Sequence, residues 1–319
     1  MGTHTNSNAD ATDADFAEAV INGLTGPARA IPSRFLYDAR GSRLFEEITD
    51  LDEYYPTRTE MELLARHAPC LADKTPPGSA LVEFGSGSSR KTEILLESLP
   101  EVSVYLPIDV SATALSEAEQ RLTERFPDLK VISVVGDFCQ PLDLPEEASA
   151  APRLGFFPGS TIGNLMPDEA RGLLAHFGEV LGHGARLVVG VDLKKDTDIL
   201  HSAYNDERGV TAQFNLNLLH RINRELGGDF DVDRFEHVAL YNDDLGRIEM
   251  HIEAKAPQTV NVLGHEISFR AGDRIHTENS YKYTRDQFST LATDSGWSPA
   301  DVWIDDGNLF SVHELVRTD

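Results

Sequence analysis

Between Ala80 and Leu193 short runs of β-branched and aromatic residues alternate with amphipathic stretches, and this alternation limits the fold more than any other feature. "ALVEFGSGSSRKTEILLESL" reads as strand, glycine turn and helix, and "VSVYLPIDVSATALSEAEQRL" as strand, acidic turn and helix. "KVISVVGDF" reads as a strand, "RLGFFPGSTIGNL" as a strand followed by the helix "PDEARGLLAHFGEVL", and "GARLVVGVDL" as a fifth strand. Strands separated by helices need crossover connections, so the pattern predicts an α/β domain, a parallel sheet covered by helices on both faces, over about 57–195.

On either side the pattern differs. Residues 1–14 are polar and read as a flexible tail, followed by a helical stripe through Phe16, Val20, Ile21 and Leu24. Leu44, Phe45 and Ile48 have helical spacing, and Pro56 in "EYYP" predicts a break after them. Past Lys195 the alternation stops. "TDILHSAYNDERGVTAQFNLNLLHRINREL" is helical, and "HVALYNDDLGRIEMHIEAKAP" and "VNVLGHEISFRAGDRIHTENSYKY" read as antiparallel strands turning at Asp243-Asp244 and Ala271-Gly272. "TRDQFSTLATDSGW" is helical again, and "DVWIDD" with "LFSVHELVR" forms a closing hairpin able to return to the parallel sheet.

The glycine turn "LVEFGSGSSRKT" lies where open α/β sheets bind ligands, at the carboxyl end of a strand. Gly85 and Gly87, on either side of Ser86, let the backbone approach a ligand closely, and the following helix N-terminus favours a carboxylate. The dinucleotide fingerprint needs a third glycine where Arg90 stands, which disfavours a dehydrogenase. Asp109, at the tip of the second strand in "PIDVS", is placed to accept from two ribose hydroxyls. In "GDF", Asp137 can accept from an adenine amino group while Phe138 packs on the ring. Lys91 is in reach of either a methionyl carboxylate or solvent. Three successive strand tips with suitable chemistry predict a nucleotide-type cofactor, and the missing glycine points to S-adenosylmethionine over NAD.

Composition narrows the partners. A net charge of −25 over 319 residues repels nucleic acid and anionic membranes and suits a small substrate. Cys70 and Cys139 form no CxxC pair, no apolar run spans a bilayer and no signal segment opens the chain, so a cytoplasmic protein with free thiols is expected. None of the histidines has zinc-site spacing, no nucleophile elbow appears, and no metal is expected.

Longer stretches carry a more specific signal. "FLYDARGSRLFEEIT", "EYYPTRTE", "FGSGSSRKT", "GSTIGNL", "AYNDERGVTAQFN", "INRELGGDFD", "FEHVALYN", "RIEMHI" and "TENSYKY" resemble the histidine-specific S-adenosylmethionine-dependent methyltransferases of ergothioneine biosynthesis. The resemblance implies a Rossmann-like methyltransferase domain over 57–195 and 285–319, and an α+β substrate domain over 15–56 and 196–284. It implies trimethylation of the α-amine of L-histidine to hercynine, with S-adenosylhomocysteine as the other product, by a monomer. It assigns Tyr37, Gly85, Lys91, Asp109, Asp137 and Phe138 to the cofactor. It assigns Tyr54, Asn164, Tyr204, Met250, Glu278 and Ser280 to the amino acid.

The chemistry agrees with those residue types. Methyl transfer from a sulfonium needs a neutral amine held in line, which asks for positioning groups and neither metal nor nucleophile. Tyr54, Asn164 and Tyr204 are hydrogen-bonding groups able to orient an amine and a carboxylate and to relay a proton to water. Glu278 and Ser280 are two apart, hence on one face of a strand, and a carboxylate with a hydroxyl matches the two nitrogens of imidazole. By spacing alone "TENSYKY" equally describes an exposed edge strand, and Met250 a core filler. Two alternatives remain: a relative acting on another amino acid such as a tryptophan derivative, and a cofactor-binding protein without turnover.

Overall fold

The computed structural model describes residues 7–87 and 89–318. Its strands are β1 Ser79–Phe84, β2 Val102–Asp109, β3 Lys130–Val131, β4 Val134–Val135, β5 Arg153–Phe157, β6 Arg186–Asp192, β7 Phe235–Asn242, β8 Arg247–Ala254, β9 Gln258–Val262, β10 His265–Phe269, β11 Arg274–Tyr281, β12 Trp297–Ile304 and β13 Phe310–Arg317. The chain divides into two compact units. One takes the described chain up to Leu51 with Leu200–Asn242 and Ile248–Asn279; the other takes Asp52–Ile199, Asp243–Arg247 and Ser280–Asp319.

The larger unit is the alternating region. Its sheet runs β12-β13-β6-β5-β1-β2-β3, with β4 also on β2. The pairs β1–β2, β1–β5, β5–β6 and β2–β3 are parallel, whereas β13 is antiparallel to both β6 and β12, so the closing hairpin completes the sheet. This is a Rossmann-like α/β sheet. Side-chain alternation splits its core. Ala80, Val82, Phe84, Leu106 and Ile108 join one apolar cluster with Leu174 and Phe177, while Leu81, Tyr105, Phe156 and Val188 join another with Leu64 and Leu95.

Two expectations are corrected and one is refined. "KVISVVGDF" is not one strand but the short pieces β3 and β4. β2 pairs with them at Val104–Tyr105 and again at Ile108–Asp109, and Pro107, which has no N–H to give, lies between. The break expected at "EYYP" is present, between helices Ala39–Thr49 and Tyr55–His67, but Tyr55 is itself helical: Pro56 occupies the first turn of the second helix, where a missing N–H costs nothing. The tail read over 1–14 is helical from Ser7, within a helix running Ser7–Thr25 whose early alanines favour that state; residues 1–6 lie outside the described part.

The smaller unit carries the three-stranded sheet β11-β8-β7 and the hairpin β9–β10. Helix Val210–Leu226 buries Phe214, Leu218 and Ile222, and glycine follows it at Gly227 in the left-handed region, as a helix terminus favours. No helix among the described residues is long and apolar enough to cross a membrane, and both cysteines are exposed thiols.

Candidate functional site

In the larger unit the glycine turn follows β1 directly. Gly85 has φ +76°, its N–H donates to Ile108 O, and a Cβ there would lie 3.1 Å from the Phe138 ring. Gly87 has φ +48°, with nothing within 4 Å of the place its Cβ would take, and Ser86 between them is buried. Only glycine makes this turn without strain, and it leaves an open cradle at the strand tips.

Asp109 grips that turn. One carboxylate oxygen accepts the Gly87 N–H at 2.9 Å and the other accepts the Ser111 N–H at 2.9 Å. Each oxygen keeps a further lone pair, so the same group holds the loop and remains able to accept from a ribose. Asp137 accepts the Cys139 N–H at 2.8 Å, and Phe138 packs edge-on against Phe157 at 5.5 Å. Gly85, Asp109, Asp137 and Phe138 thus gather at neighbouring strand tips, and the cradle and its acceptors fit a nucleoside cofactor.

Lys91 departs from its expected surroundings. Its ammonium lies 2.6 Å from Glu60, a carboxylate with no solvent exposure that also accepts the Gly159 N–H at 3.0 and 2.9 Å. Gly190 makes room, since a Cβ there would meet Glu60 Oε1 at 1.9 Å. Lys91 is therefore a held cation at the start of helix Arg90–Ser98 and not a freely solvated one.

Beneath the turn lies Glu83, buried in β1. It accepts from Thr92 Oγ1 at 2.6 Å and from the Tyr105 hydroxyl, which also contacts Ser89 Oγ at 3.0 Å. Burial pushes its carboxyl up to about 8, against the opposing pull of those two hydroxyls, so it is largely protonated at neutral pH. Glu83 ties β1 and β2 to the residues that open the helix. Sequence reading missed both Glu60 and Glu83, because a lone carboxylate gives no sign that the fold will bury it.

Two amino-acid candidates of this unit stand at turns. Tyr54 is the buried residue preceding helix Tyr55–His67, and its carbonyl accepts from Arg58 at 3.4 Å. Asn164 ends the short turn Thr161–Asn164. Its neighbour Gly163 packs on the backbone of Tyr281, where a Cβ would lie 2.8 Å from the Tyr281 carbonyl oxygen. The loop carrying Asn164 therefore rests on the end of β11, next to Ser280. Ser280 is buried and accepts from Lys282 Nζ at 2.7 Å.

Lys282 belongs to a buried charge cluster. It lies 2.7 Å from Asp192, which Tyr55 and Lys195 also reach, at 2.8 and 2.6 Å. Burial works against the charge of Asp192, but Lys282 and Lys195 more than offset it and hold its carboxyl below the ordinary value. Lys195, with two cations sharing one carboxylate, is pushed down to about 8, mainly by burial, with Asp192 opposing and Lys282 assisting the shift.

In the smaller unit Tyr37 stands edge-on to Phe45 at 5.5 Å and to Phe214 at 5.4 Å. Asp38 fixes the next turn by accepting from Gly41 N–H, Asn217 and Arg224; burial opposes its ionisation, but these contacts keep its carboxyl low. Tyr204, buried at the end of helix Thr197–Tyr204, has its carbonyl held by His237 Nε2 at 2.9 Å. Asn215 Nδ2 meets His237 Nδ1 at 2.9 Å, so that nitrogen accepts and Nε2 carries the proton. Burial lowers the titration of this ring, as a neutral imidazole requires. Asn215 Oδ1 also receives Thr277 Oγ1 at 2.7 Å, and Thr277 bonds Met250 O at 3.1 Å. One chain of hydrogen bonds thus ties Tyr204 to the backbone carrying Met250 and to the residue beside Glu278. Met250 and Glu278 are both buried.

Glu249, His251 and His276 bring potential ligand atoms within 4.8 Å of one another. The two imidazoles stack with ring centroids 4.8 Å apart at 27°.

A solved S-adenosylmethionine-dependent methyltransferase from Clostridium acetobutylicum superposes with a TM-score of 0.50 at 13% identity, covering 87% of this chain and 99% of that one, a likeness of fold. The chain is 39% identical to a histidine N-alpha-methyltransferase of Mycolicibacterium smegmatis over 97% of each, and 40% identical to that of Mycobacterium tuberculosis over 92% of each. The family model for "Histidine-specific methyltransferase, SAM-dependent" matches residues 16–317. The chain therefore belongs to the histidine-specific, S-adenosylmethionine-dependent methyltransferases.

Proposed function

We propose that this chain trimethylates the α-amino group of L-histidine to give hercynine, within ergothioneine biosynthesis. The observation that carries the reading is the buried pair Glu278 and Ser280, two apart on β11. A carboxylate and a hydroxyl at that spacing match the two nitrogens of a polar ring better than they match an apolar side chain. S-adenosylmethionine supplies the electrophilic methyl group. Gly85, Ser86, Gly87 and Asp109 hold its ribose side, Asp137 and Phe138 its adenine, and Lys91 and Tyr37 its amino-acid portion. Asn164 binds the α-carboxylate through its amide N–H or the amine through its oxygen, while Tyr54 and Tyr204 orient the amine along the line of attack. Met250 closes the wall beside the ring. The amine must arrive neutral, and Tyr204 or an adjacent water passes its proton to solvent. The aromatic faces tolerate the cation that grows with each transfer. The enzyme acts as a cytoplasmic monomer on a small substrate, away from nucleic acid and membranes, a reading its charge of −25 supports.

The test is to incubate the protein with L-histidine and methyl-labelled S-adenosylmethionine and fragment the product. All label on the α-nitrogen, up to three methyl groups, is expected; label on a ring nitrogen overturns the assignment.

A further inference from the structure

β5, β1 and β2 are parallel neighbours in the sheet of the larger unit, so their carboxyl ends stand side by side. Asp109 ends β2, the glycine turn follows β1, and Gly159 stands just past β5. On the β5 side the chain buries a carboxylate. The Glu60 side chain has no solvent exposure, its two oxygens accept the Gly159 N–H at 3.0 and 2.9 Å, and Lys91 Nζ lies 2.6 Å from Oε2. Gly159 has φ +80°, and the place its Cβ would take is 3.5 Å from Lys91 Nζ, so the ammonium rests against bare backbone. The carboxylate is sealed in, whereas Lys91 keeps 17% of its side chain exposed.

We propose that Glu60 is a positioning residue that also sets the charge of the cofactor site: it holds Lys91 for the cofactor's carboxylate and offsets the lysine's positive charge, so that the site favours S-adenosylmethionine over S-adenosylhomocysteine. This rests on the proposed reading that Lys91 meets the amino-acid portion of the cofactor. The two molecules differ at sulfur. The donor carries a sulfonium, and methyl transfer leaves a neutral thioether, so the donor has one more positive charge than the product. An uncompensated ammonium attracts both carboxylates but repels the sulfonium alone, and so favours the product. Glu60 removes that bias, and its contact keeps a long, flexible side chain from straying into solvent. An ammonium has three donors, so the contact with Glu60 does not exhaust it. Asp109 and Glu83 also lie at this turn, but they stay in place in every variant below, and the comparison turns on the one charge that is changed.

The experiment measures dissociation constants for S-adenosylmethionine, S-adenosylhomocysteine and 5′-methylthioadenosine, which lacks the amino-acid portion. It uses the full chain and its Glu60→Gln, Lys91→Met and doubly substituted variants. Binding of methylthioadenosine serves as the check on the folded cradle. Lys91→Met should weaken S-adenosylhomocysteine about tenfold or more, the range for losing a charge-assisted hydrogen bond, and leave methylthioadenosine within a few fold. Unchanged S-adenosylhomocysteine affinity there refutes the reading of Lys91 itself, separately from Glu60. Glu60→Gln should lower the affinity for S-adenosylmethionine relative to S-adenosylhomocysteine by about tenfold, as one added positive charge near the sulfonium requires. Lys91→Met should raise that ratio above the parent's when both are read at about pH 9.5, where the carboxyl left behind is ionised even if burial raises it. The double variant should return to the parent ratio, and a ratio as low as that of Glu60→Gln overturns the proposal. Both single variants break the same ion pair, so a merely structural role moves the ratio in one direction in both, or in neither; either result overturns charge balancing. If Glu60→Gln binds no methylthioadenosine, Lys91→Met decides: a raised ratio supports the proposal, and an unchanged or lowered one overturns it.

Discussion

Replacing Glu83 by Gln tests whether the carboxyl beneath the glycine turn is held neutral by burial. Its titration is raised from an ordinary 4.5 to about 8 in the folded chain. The folded state thus keeps a proton that the unfolded chain releases anywhere between those values. Stability from this group is complete below pH 4.5 and is lost progressively as pH rises toward 8. At about 1.4 kcal/mol per unit, the loss across the window is roughly 5 kcal/mol. Gln does not titrate, and its amide offers an oxygen to Thr92 and Tyr105 as the protonated acid does. The difference in unfolding free energy, variant minus parent, should therefore grow in favour of the variant by about 1.4 kcal/mol per pH unit from pH 5 to 8. Urea unfolding of both proteins at four pH values measures it, because titrations elsewhere in the chain cancel in the difference. Parallel stability curves would refute the reasoning and show Glu83 ionised in the fold.

Asp109→Ala should weaken S-adenosylmethionine binding by more than loss of ribose contacts alone, since it also frees the Gly87 and Ser111 amides; calorimetry with S-adenosylmethionine checks this, and unchanged affinity removes Asp109 from the site. Gly163→Ala drives a Cβ to 2.8 Å from the Tyr281 carbonyl oxygen and should cost about 1–3 kcal/mol of stability, with a matching drop in turnover as the Asn164 loop lifts from β11. Tyr204→Phe should lower kcat more than it raises the dissociation constant for histidine, and collapse of binding with turnover intact would make Tyr204 an anchor only. Glu278→Ala should raise KM for histidine and shift the ratio of kcat/KM for histidine over tryptophan toward tryptophan; an unchanged ratio places ring recognition elsewhere.

The strand–helix alternation, the glycine turn and the strand-tip aspartates were legible because each is a local pattern, readable within ten or twenty residues. The return of the closing hairpin to the parallel sheet was also legible, though not its place beside β6. What escaped was non-local. Glu60 lies within "EYYPTRTE", but nothing nearby in sequence announces that Lys91 and Gly159 will converge on it. Lys282, in "TENSYKY", looks like the solvated charge of an edge strand until Asp192 is seen beneath it. His237 passed as one histidine among eleven, yet it holds the carbonyl of Tyr204 through a tautomer that Asn215 dictates. Buried polar partners tens of residues apart leave no periodic trace, since periodicity reports which face is apolar and not which polar group a face will bury. The break of the third strand escaped for a related reason, because its cause, Pro107, sits in the neighbouring strand.

The central claim is that the site reads histidine and methylates its α-amine. Offering the protein all twenty amino acids together, with excess S-adenosylmethionine, and resolving the products by mass tests that directly. Trimethylated histidine as the dominant product, with phenylalanine, leucine and tryptophan left almost untouched, is the expected result. Preferential methylation of another amino acid, or binding of S-adenosylmethionine with no methylated product, would contradict it.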